Sequence, residues 1–321
     1  MAPRLPIARL AAPVADRMRA EAAIPTFSRA VDELVLNALD AGASEIVVTV
    51  DVPSRSIAVR DNGHGMDRAA LGRVGERRST SKLQTVEQLD GGLRSFGFRG
   101  EALHALSAVA LVEIVSRPAA PAAAPTLSAV LYQGRRASLG PATEARAPGT
   151  TVSVRDLFCN RAVARKQLQR AGAVKAEVSN VLARLTRLAI AHPDVAFRLH
   201  DTARAATLLS KGRSASPLAA FRQLLSGGQA LTLHDARHDE GGYSVRGHLS
   251  LSPEGSCSRE TQLFCVNGRP LGRRNELHKL VEAAYVKAQA AAGSGYVCSL
   301  AFTRYCHHQY CMMYRIQNEG R

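Results

Sequence analysis

One polar stripe does not fit the apolar helical pattern of VDELVLNALDAGA (31–43): Glu33, Asn37 and Asp40. Their i, i+4 and i+7 spacing stacks them in one column of a helix turning every 3.6 residues, with Leu36 and Ala41 beside it. A solvated helix face commonly mixes Lys and Arg with Glu for i,i+4 pairing, and the column itself holds neither. Surface and site are equally open on this pattern alone. Read as a site, a carboxylate and an amide one turn apart suit the hydrolysis of a terminal phosphate. Glu33 would orient or deprotonate water, and Asn37 would lend one hard oxygen ligand to a Mg²⁺ that keeps its waters and the substrate phosphates.

DNGHGM (61–66) closes the run SIAVR, so Asp61 stands at a strand end. A carboxylate there can accept a hydrogen bond from an exocyclic amine, while Gly63 and Gly65 let a backbone approach a ring. A plain Asp-Asn-Gly turn is the competing reading. In SFGFRGEALHAL (95–106), Gly97 and Gly100 bracket Phe98 and Arg99 directly before a helical pattern, whose free N–H groups and positive dipole end suit phosphate. RRSTSKL (77–83) adds Thr80, Ser81 and Lys82 inside a polar, Gly-punctuated stretch from 67 to 96. A loop that long in a compact domain fits a lid over phosphates. No G-x-x-x-x-G-K-[ST] occurs and no G-x-G-x-x-G follows a strand, which excludes the P-loop and Rossmann routes to a nucleotide.

Periodicity and punctuation outline the elements that must position these residues. A helix is expected through 31–43, strands over 45–52 and from 56, a helix over 101–110 and a strand over 111–116. RPAAPAAAPT (117–126) reads as an exposed hairpin loop, with strands near 127–133 and 150–155. The apolar pattern from Ile7 continues into the first helix without a break, so the Arg-bearing N-terminus is not read as a transit peptide. A second domain is expected from Asp156, with helices near 173–191, 215–226 and 274–291. Strands near 195–200, 243–251, 261–266 and 296–304 would interleave with them.

A length of 321 residues, 46% of them hydrophobic, suits two packed cores. The net charge of +15 lies wholly beyond residue 115, because residues 1–115 carry 14 basic and 14 acidic side chains. The second part is therefore the one suited to a polyanion. A GC-rich genome would explain why only six of 42 basic residues are Lys, but not why the first 115 residues are spared. The six cysteines form no C-x-x-C pair and suit buried thiols in a reducing compartment. No apolar stretch has the length of a transmembrane helix, so no membrane partner is expected.

Taken in order, VDELVLNALDAGA, RDNGHGM, RRSTSKL with FGFRGEAL, and GTTVSVRDLF (149–158) resemble the ATPase region of the MutL mismatch-repair proteins. The first two motifs would also fit gyrase B subunits, large heat-shock chaperones and histidine kinases; the last two narrow the resemblance. LFCVNGRPL (263–271) is similar to the family's second, transducer-like domain, so the resemblance covers almost the whole chain. It implies an α+β fold, a two-layer α/β sandwich of the GHKL ATPase type over residues 1–155 with a lid at about 67–98. A smaller, basic α/β transducer-like domain, incomplete at its C-terminus, would follow over 156–321. ATP and Mg²⁺ are the implied cofactors. The resemblance makes Glu33 the general base, Asn37 the Mg²⁺ ligand and Asp61 the partner of the adenine amine. Gly63 and Gly65 would line the base pocket, with Thr150 near the adenine. Thr80, Ser81, Lys82 and the loop Gly97, Phe98, Arg99 and Gly100 would lie on the phosphates. Double-stranded DNA, a MutL paralogue as heterodimer partner, a MutS-type mismatch recognition complex and a nuclear location are implied as well.

Two departures stand out. DRMRAEAAIPTFSRA replaces the Ile-Ala-Ala-Gly-Glu-Val segment of many members and, with LGRRNELHKLV after the VNGR motif, resembles the meiotic MutL-gamma branch. The family's Pro-x-Lys segment, which brings a lysine to the terminal phosphate, is absent, and no lysine follows Lys287. Either the chain has diverged here, Arg315 substitutes for that lysine, or the C-terminus is truncated or mispredicted relative to the family, and the last is the expectation. The alternative is an ATP-liganded interaction platform without significant hydrolysis. CHHQYC (306–311) offers Cys306, His307, His308 and Cys311 to zinc, but neighbours on a strand point to opposite faces, so no zinc site is expected.

Overall fold

The computed structural model describes residues 12–76, 96, 101–225, 233–240, 243–250, 263–271, 275–276, 279–280, 283 and 299–306. The chain forms two compact units. One comprises Met1–Lys82, Gly97–Val181 and Leu199–Leu208; the other comprises Leu83–Phe96, Leu182–Arg198 and Leu209–Arg321.

The elements begin with helices α1 (Ala12–Ala23) and α2 (Phe27–Asp40), strands β1 (Glu45–Asp51) and β2 (Ser56–Asp61), and helices α3 (Arg68–Arg73) and α4 (Ala102–Val109). Strands β3 (Leu111–Arg117), β4 (Leu127–Tyr132), β5 (Arg135–Pro141) and β6 (Gly149–Arg155) follow, then helices α5 (Ala162–Leu168) and α6 (Ala173–Ala191) and strands β7 (Ala196–Asp201) and β8 (Ala206–Lys211). These strands form an eight-stranded sheet in the order β5-β4-β3-β6-β2-β1-β7-β8. Helix α2 packs on β1 and β2, and α4 packs against α1 and on β3, β4 and β5. Helices packed on one large sheet match the expected mixed α/β architecture.

Alternation fixes which side of each strand is buried. Ile46, Val48 and Val50 of β1, Ile57 and Val59 of β2, Val112 and Ile114 of β3, and Val152 and Val154 of β6 form the buried rows. Against them α2 buries Phe27, Ala30, Val31, Leu34, Val35 and Ala38, leaving the Glu33, Asn37 and Asp40 column half-buried beside that stripe. The helix expected over 31–43 is part of α2, and a separate helix, α1, precedes it. Pro25 follows Ile24, which restricts Ile24 to extended backbone and ends α1. Thr26 then caps α2, its Oγ1 accepting from Arg29 N–H at 3.1 Å, and Glu177 of α6 accepts from Ser28 N–H at 3.1 Å. At the other end Gly42 takes φ +69°, Ala43 N–H donates to Ala38 O at 3.2 Å and Gly42 N–H to Leu39 O at 3.0 Å. This is a Schellman stop, and it turns the chain into β1.

The second unit contains α7 (Pro217–Leu225) and strands β9 (Leu233–Glu240), β10 (Tyr243–Ser250), β11 (Leu263–Val266), β12 (Arg269–Pro270) and β13 (Ser299–Cys306). Its strands form a sheet in the order β12-β11-β13-β10-β9, with β11 parallel to β13. Ile190, Ala220, Phe221 and Leu263 make a buried cluster beneath Leu224 and Leu233. The 117–126 segment is, as expected, the largely exposed connection between antiparallel β3 and β4. Strand β5 has no signature in the sequence, because residues 135–138 are all exposed and present no alternation to read.

Lys211, only 2% exposed, donates through Nζ to the carbonyls of His192 at 3.1 Å, Pro193 at 2.7 Å and Val195 at 2.8 Å, just beyond the end of α6. Burial pushes its pKa down to about 8, partly opposed by Asp194. The unfolded chain therefore binds more protons than the folded one between pH 8 and about 10, and stability linked to this group rises with pH across that window. The stability margin of the parent chain over Lys211→Met, measured by urea unfolding at matched pH, is expected to widen from pH 8 towards 10.

Candidate functional site

Three buried rows end in a polar residue at the same edge of the large sheet. On β2 Asp61 continues Ile57 and Val59, on β3 Ser116 continues Val112 and Ile114, and on β6 Thr150 precedes Val152 and Val154. The strands are neighbours in the order β3-β6-β2, with Ser116 opposite Thr150 and Arg60 opposite Thr151. Register therefore sets Ser116, Thr150 and Asp61 side by side. Each is buried, at 0%, 6% and 6% exposure respectively.

Hydrogen bonds make the row a network. Asp61 Oδ1 accepts from Gly63 N–H at 2.9 Å and Thr150 N–H at 3.2 Å. Ser116 and Thr150 share a hydroxyl bond of 2.9 Å, and Ser116 Oγ also accepts from Met66 N–H at 2.8 Å. Among the described residues no donor reaches Asp61 Oδ2. Burial pushes the Asp61 carboxyl above its ordinary value, while the Gly63 and Thr150 amides, Arg146 and His64 pull it back.

The glycines after β2 answer first to the chain's own backbone. A Cβ at Gly63 would stand 2.6 Å from Ala41 O, and His64 N–H donates to that same oxygen at 3.0 Å. Gly65 has φ +68°, and a Cβ there would lie 2.0 Å from Arg117 O. Asn62 is structural: its Oδ1 accepts from the N–H groups of Ser44 and Glu45, both at 2.9 Å. The loop after β2 is thereby docked on the turn that ends α2, so the Asp61 row and the α2 column are held together.

On α2 the expected column exists, but it has a cation that the three-residue pattern did not show. Arg29, one turn before Glu33, forms an i,i+4 ion pair with Glu33 Oε1. Arg29 is 41% exposed and Glu33 18%, so the pair is a partly solvated one, worth about 0.5 kcal/mol and able to open. Asn37 is half-buried and its amide oxygen is the hard donor type that Mg²⁺ accepts alongside waters and phosphates, so the residues present fit that ion. Thr80, Ser81, Lys82, Gly97, Phe98, Arg99 and Gly100 lie outside the described residues, as do His307, His308 and Cys311. Among the described residues no group of three His, Cys, Asp or Glu side chains could hold a metal.

Several site residues were not singled out from sequence. Ser116 had a signal, since it falls in phase with the apolar row of LVEIVS. Arg146 had none: it lies between β5 and β6 in a stretch without periodicity. In the second unit Arg269 of the VNGR motif stacks 5.4 Å from the Phe96 ring centroid and donates to Phe96 O, while His192 meets the same ring edge-on at 5.3 Å. These contacts pin the residue immediately before Gly97.

A family profile described as histidine kinase-, DNA gyrase B-, and HSP90-like ATPase matches residues 25–140. The DNA mismatch repair protein MutL of Desulforudis audaxviator is 35% identical over 267 residues, covering 81% of this chain and 44% of that protein. A solved N-terminal domain of a DNA repair protein superposes with a TM-score of 0.71 at 23% identity, covering 90% of this chain and 86% of that one. The Aquifex aeolicus MutL ATPase domain complexed with ADP gives 0.58 at 21% identity, covering 88% and 92%. Fold and site thus define a GHKL-type ATPase domain. Within that class, the chain belongs to the MutL-type DNA mismatch repair proteins. It spans less than half the length of the curated relatives it matches, 44% and 43% for two of them.

The glycine geometry is testable by a matched pair. Gly65→Ala combines positive φ with a backbone clash and is expected to cost more than about 2 kcal/mol. Gly42→Ala has positive φ but nothing within 4 Å of the new Cβ, and is expected to cost about 1 kcal/mol. Urea unfolding of the two variants checks the order.

Proposed function

We propose that this region binds ATP against the Asp61 row and hydrolyses it from the α2 column. The observation that carries the reading is the half-satisfied Asp61 carboxylate: Oδ1 is fixed by two backbone N–H groups, while Oδ2 has no donor among the described residues. An acceptor of that kind on a largely buried carboxylate is suited to an exocyclic amine. Thr150 beside it, and Gly63 and Gly65 in the loop, would flank the base. Glu33 would orient and deprotonate the attacking water, after its bond to Arg29 opens. Asn37 would hold Mg²⁺, which when bound offsets charge on the β- and γ-phosphates. Thr80, Ser81, Lys82 and residues 97–100 would cover the phosphates as a lid, with the 1–155 and 156–321 division as the working domain scheme.

DNA binding without sequence preference is part of the proposal, supported by the charge asymmetry and by exposed Arg165, Lys166, Arg170 and Lys175 on and after α5. So are action with a MutS-type complex, pairing with a MutL paralogue, the MutL-gamma assignment and a nuclear location, which rest on the motif resemblance. The Arg29–Glu33 pair favours a second reading, in which ATP orders an interaction platform and is turned over little or not at all.

Asp61→Asn is the sharpest variant. The amide oxygen keeps both backbone bonds, but its NH₂ replaces the second acceptor and meets the adenine amine donor to donor. Calorimetry is expected to show at least a ~100-fold loss of ATP affinity, with a thermal midpoint equal to or above that of the parent, because the burial cost of the charge is gone. Glu33→Ala is expected to keep ATP affinity within a few-fold and lose hydrolysis by ~10²–10⁴. Unchanged turnover in Glu33→Ala would sink the base assignment, and parent turnover no higher than a buffer blank would select the platform. DNA affinity is expected to fall steeply between 50 and 200 mM salt; a flat dependence removes the phosphate contacts.

A further inference from the structure

The side chain that does most to hold the Asp61 row is one with no role in the reading above. Arg146, in the segment between β5 and β6, places its guanidinium behind the row. Its Nη2 donates to Asp61 O at 2.8 Å, and its Nη1 donates to Val115 O at 3.0 Å and to Thr151 Oγ1 at 2.9 Å. Its Nε donates to Ala147 O at 3.1 Å. One planar cation thus joins the ends of β2, β3 and β6, the strands that contribute Asp61, Ser116 and Thr150. Gly149 makes the approach feasible. It has φ +124°, and a Cβ there would lie 2.2 Å from Asp61 O and 3.0 Å from Arg146 Nη2.

We infer that Arg146 is a positioning residue of the adenine site: by locking β2, β3 and β6 together behind Asp61, it fixes where the second carboxylate oxygen points. The inference rests on the reading of Asp61 as the partner of the adenine amine. The geometry is specific to arginine, because four acceptors in fixed directions match a planar fork and not a single ammonium. The electrostatics point the same way. Burial lowers the Arg146 pKa while Asp61 raises it, and Arg146 in turn helps keep the buried carboxylate ionised. The other charged or titratable groups set against this pair, among the described residues, are His64 in the loop after β2, Arg60 on β2, and Arg117 on β3, whose Nη1 donates to Arg146 O at 3.0 Å.

The test is calorimetric binding of Mg·ATP to the full chain across pH 5–8, with steady-state turnover, for the parent, Arg146→Gln, Arg146→Lys and Asp61→Asn. Arg146→Gln is expected to raise Kd and KM by on the order of 10- to 100-fold with kcat within about twofold of the parent. The acid limb of its binding profile is expected to move to higher pH, because the carboxylate loses the cation that most favours its ionised form. Arg146→Lys is expected to restore the acid limb but only part of the affinity, a split that a merely structural role would not produce. Folded Arg146→Gln with the parent's affinity and acid limb would overturn the inference. If neither Arg146 variant folds, Thr151→Val removes a single guanidinium acceptor and carries the test: weaker ATP binding supports the role, and unchanged binding overturns it. A parent that binds no ATP, or an Asp61→Asn variant that binds it normally, would instead overturn the underlying reading of the site.

Discussion

A carboxylate buried at the end of an apolar row is the constraint around which this molecule is arranged. Taking Asp61 out of water is costly unless hydrogen bonds and opposite charge compensate. The compensation comes from two backbone N–H groups, from Gly63 and Thr150, and from the guanidinium of Arg146 behind the strand. Each requires something of the chain. The Gly63 amide can reach the carboxylate only because the loop folds back on Ala41, where a side chain would not fit. Thr150 is in register only because β6 lies between β2 and β3. Gly149 leaves the space through which Arg146 reaches Asp61 O.

The same packing ties the Asp61 row to the polar column of α2. Ala41 O, at the stop of α2, accepts from His64 N–H, so the loop after β2 and the last turn of α2 form one body. Along α2 the three polar residues then have different surroundings. Glu33 is engaged by Arg29, Asn37 stands one turn closer to the loop, and Asp40 lies in the last turn. The odd stripe in VDELVLNALDAGA thus resolves into an ordered series along one helix face. The Arg29 pair adds a contact the stripe did not advertise, an ion pair to Glu33 along the same helix face.

Where side-chain period and backbone geometry decide the outcome, the sequence was legible. The alternation of EIVVTVD, SIAVRD and LVEIVSR gives β1, β2 and β3 with the correct faces inward, and it carries Asp61 and Ser116 into the interior as the next members of their rows. The Gly-rich turn after Asp61 was legible as a turn; the partners demanding those glycines, Ala41 and Arg117, were not, since both are distant in sequence. Strand β5 is not legible in the sequence because it is an exposed edge without alternation. Arg146 was invisible for a deeper reason. Its function in the fold depends on three strands meeting, and no local pattern encodes such a junction.

The central claim is that the second oxygen of Asp61 reads the amine of an adenine base. Competition binding of ATP against inosine triphosphate, which carries a carbonyl where adenine carries the amine, isolates that contact without altering the protein. The account predicts that the inosine nucleotide binds at least ~100-fold more weakly, since an acceptor then faces an acceptor in a buried site. Equal affinity for the two nucleotides would contradict it.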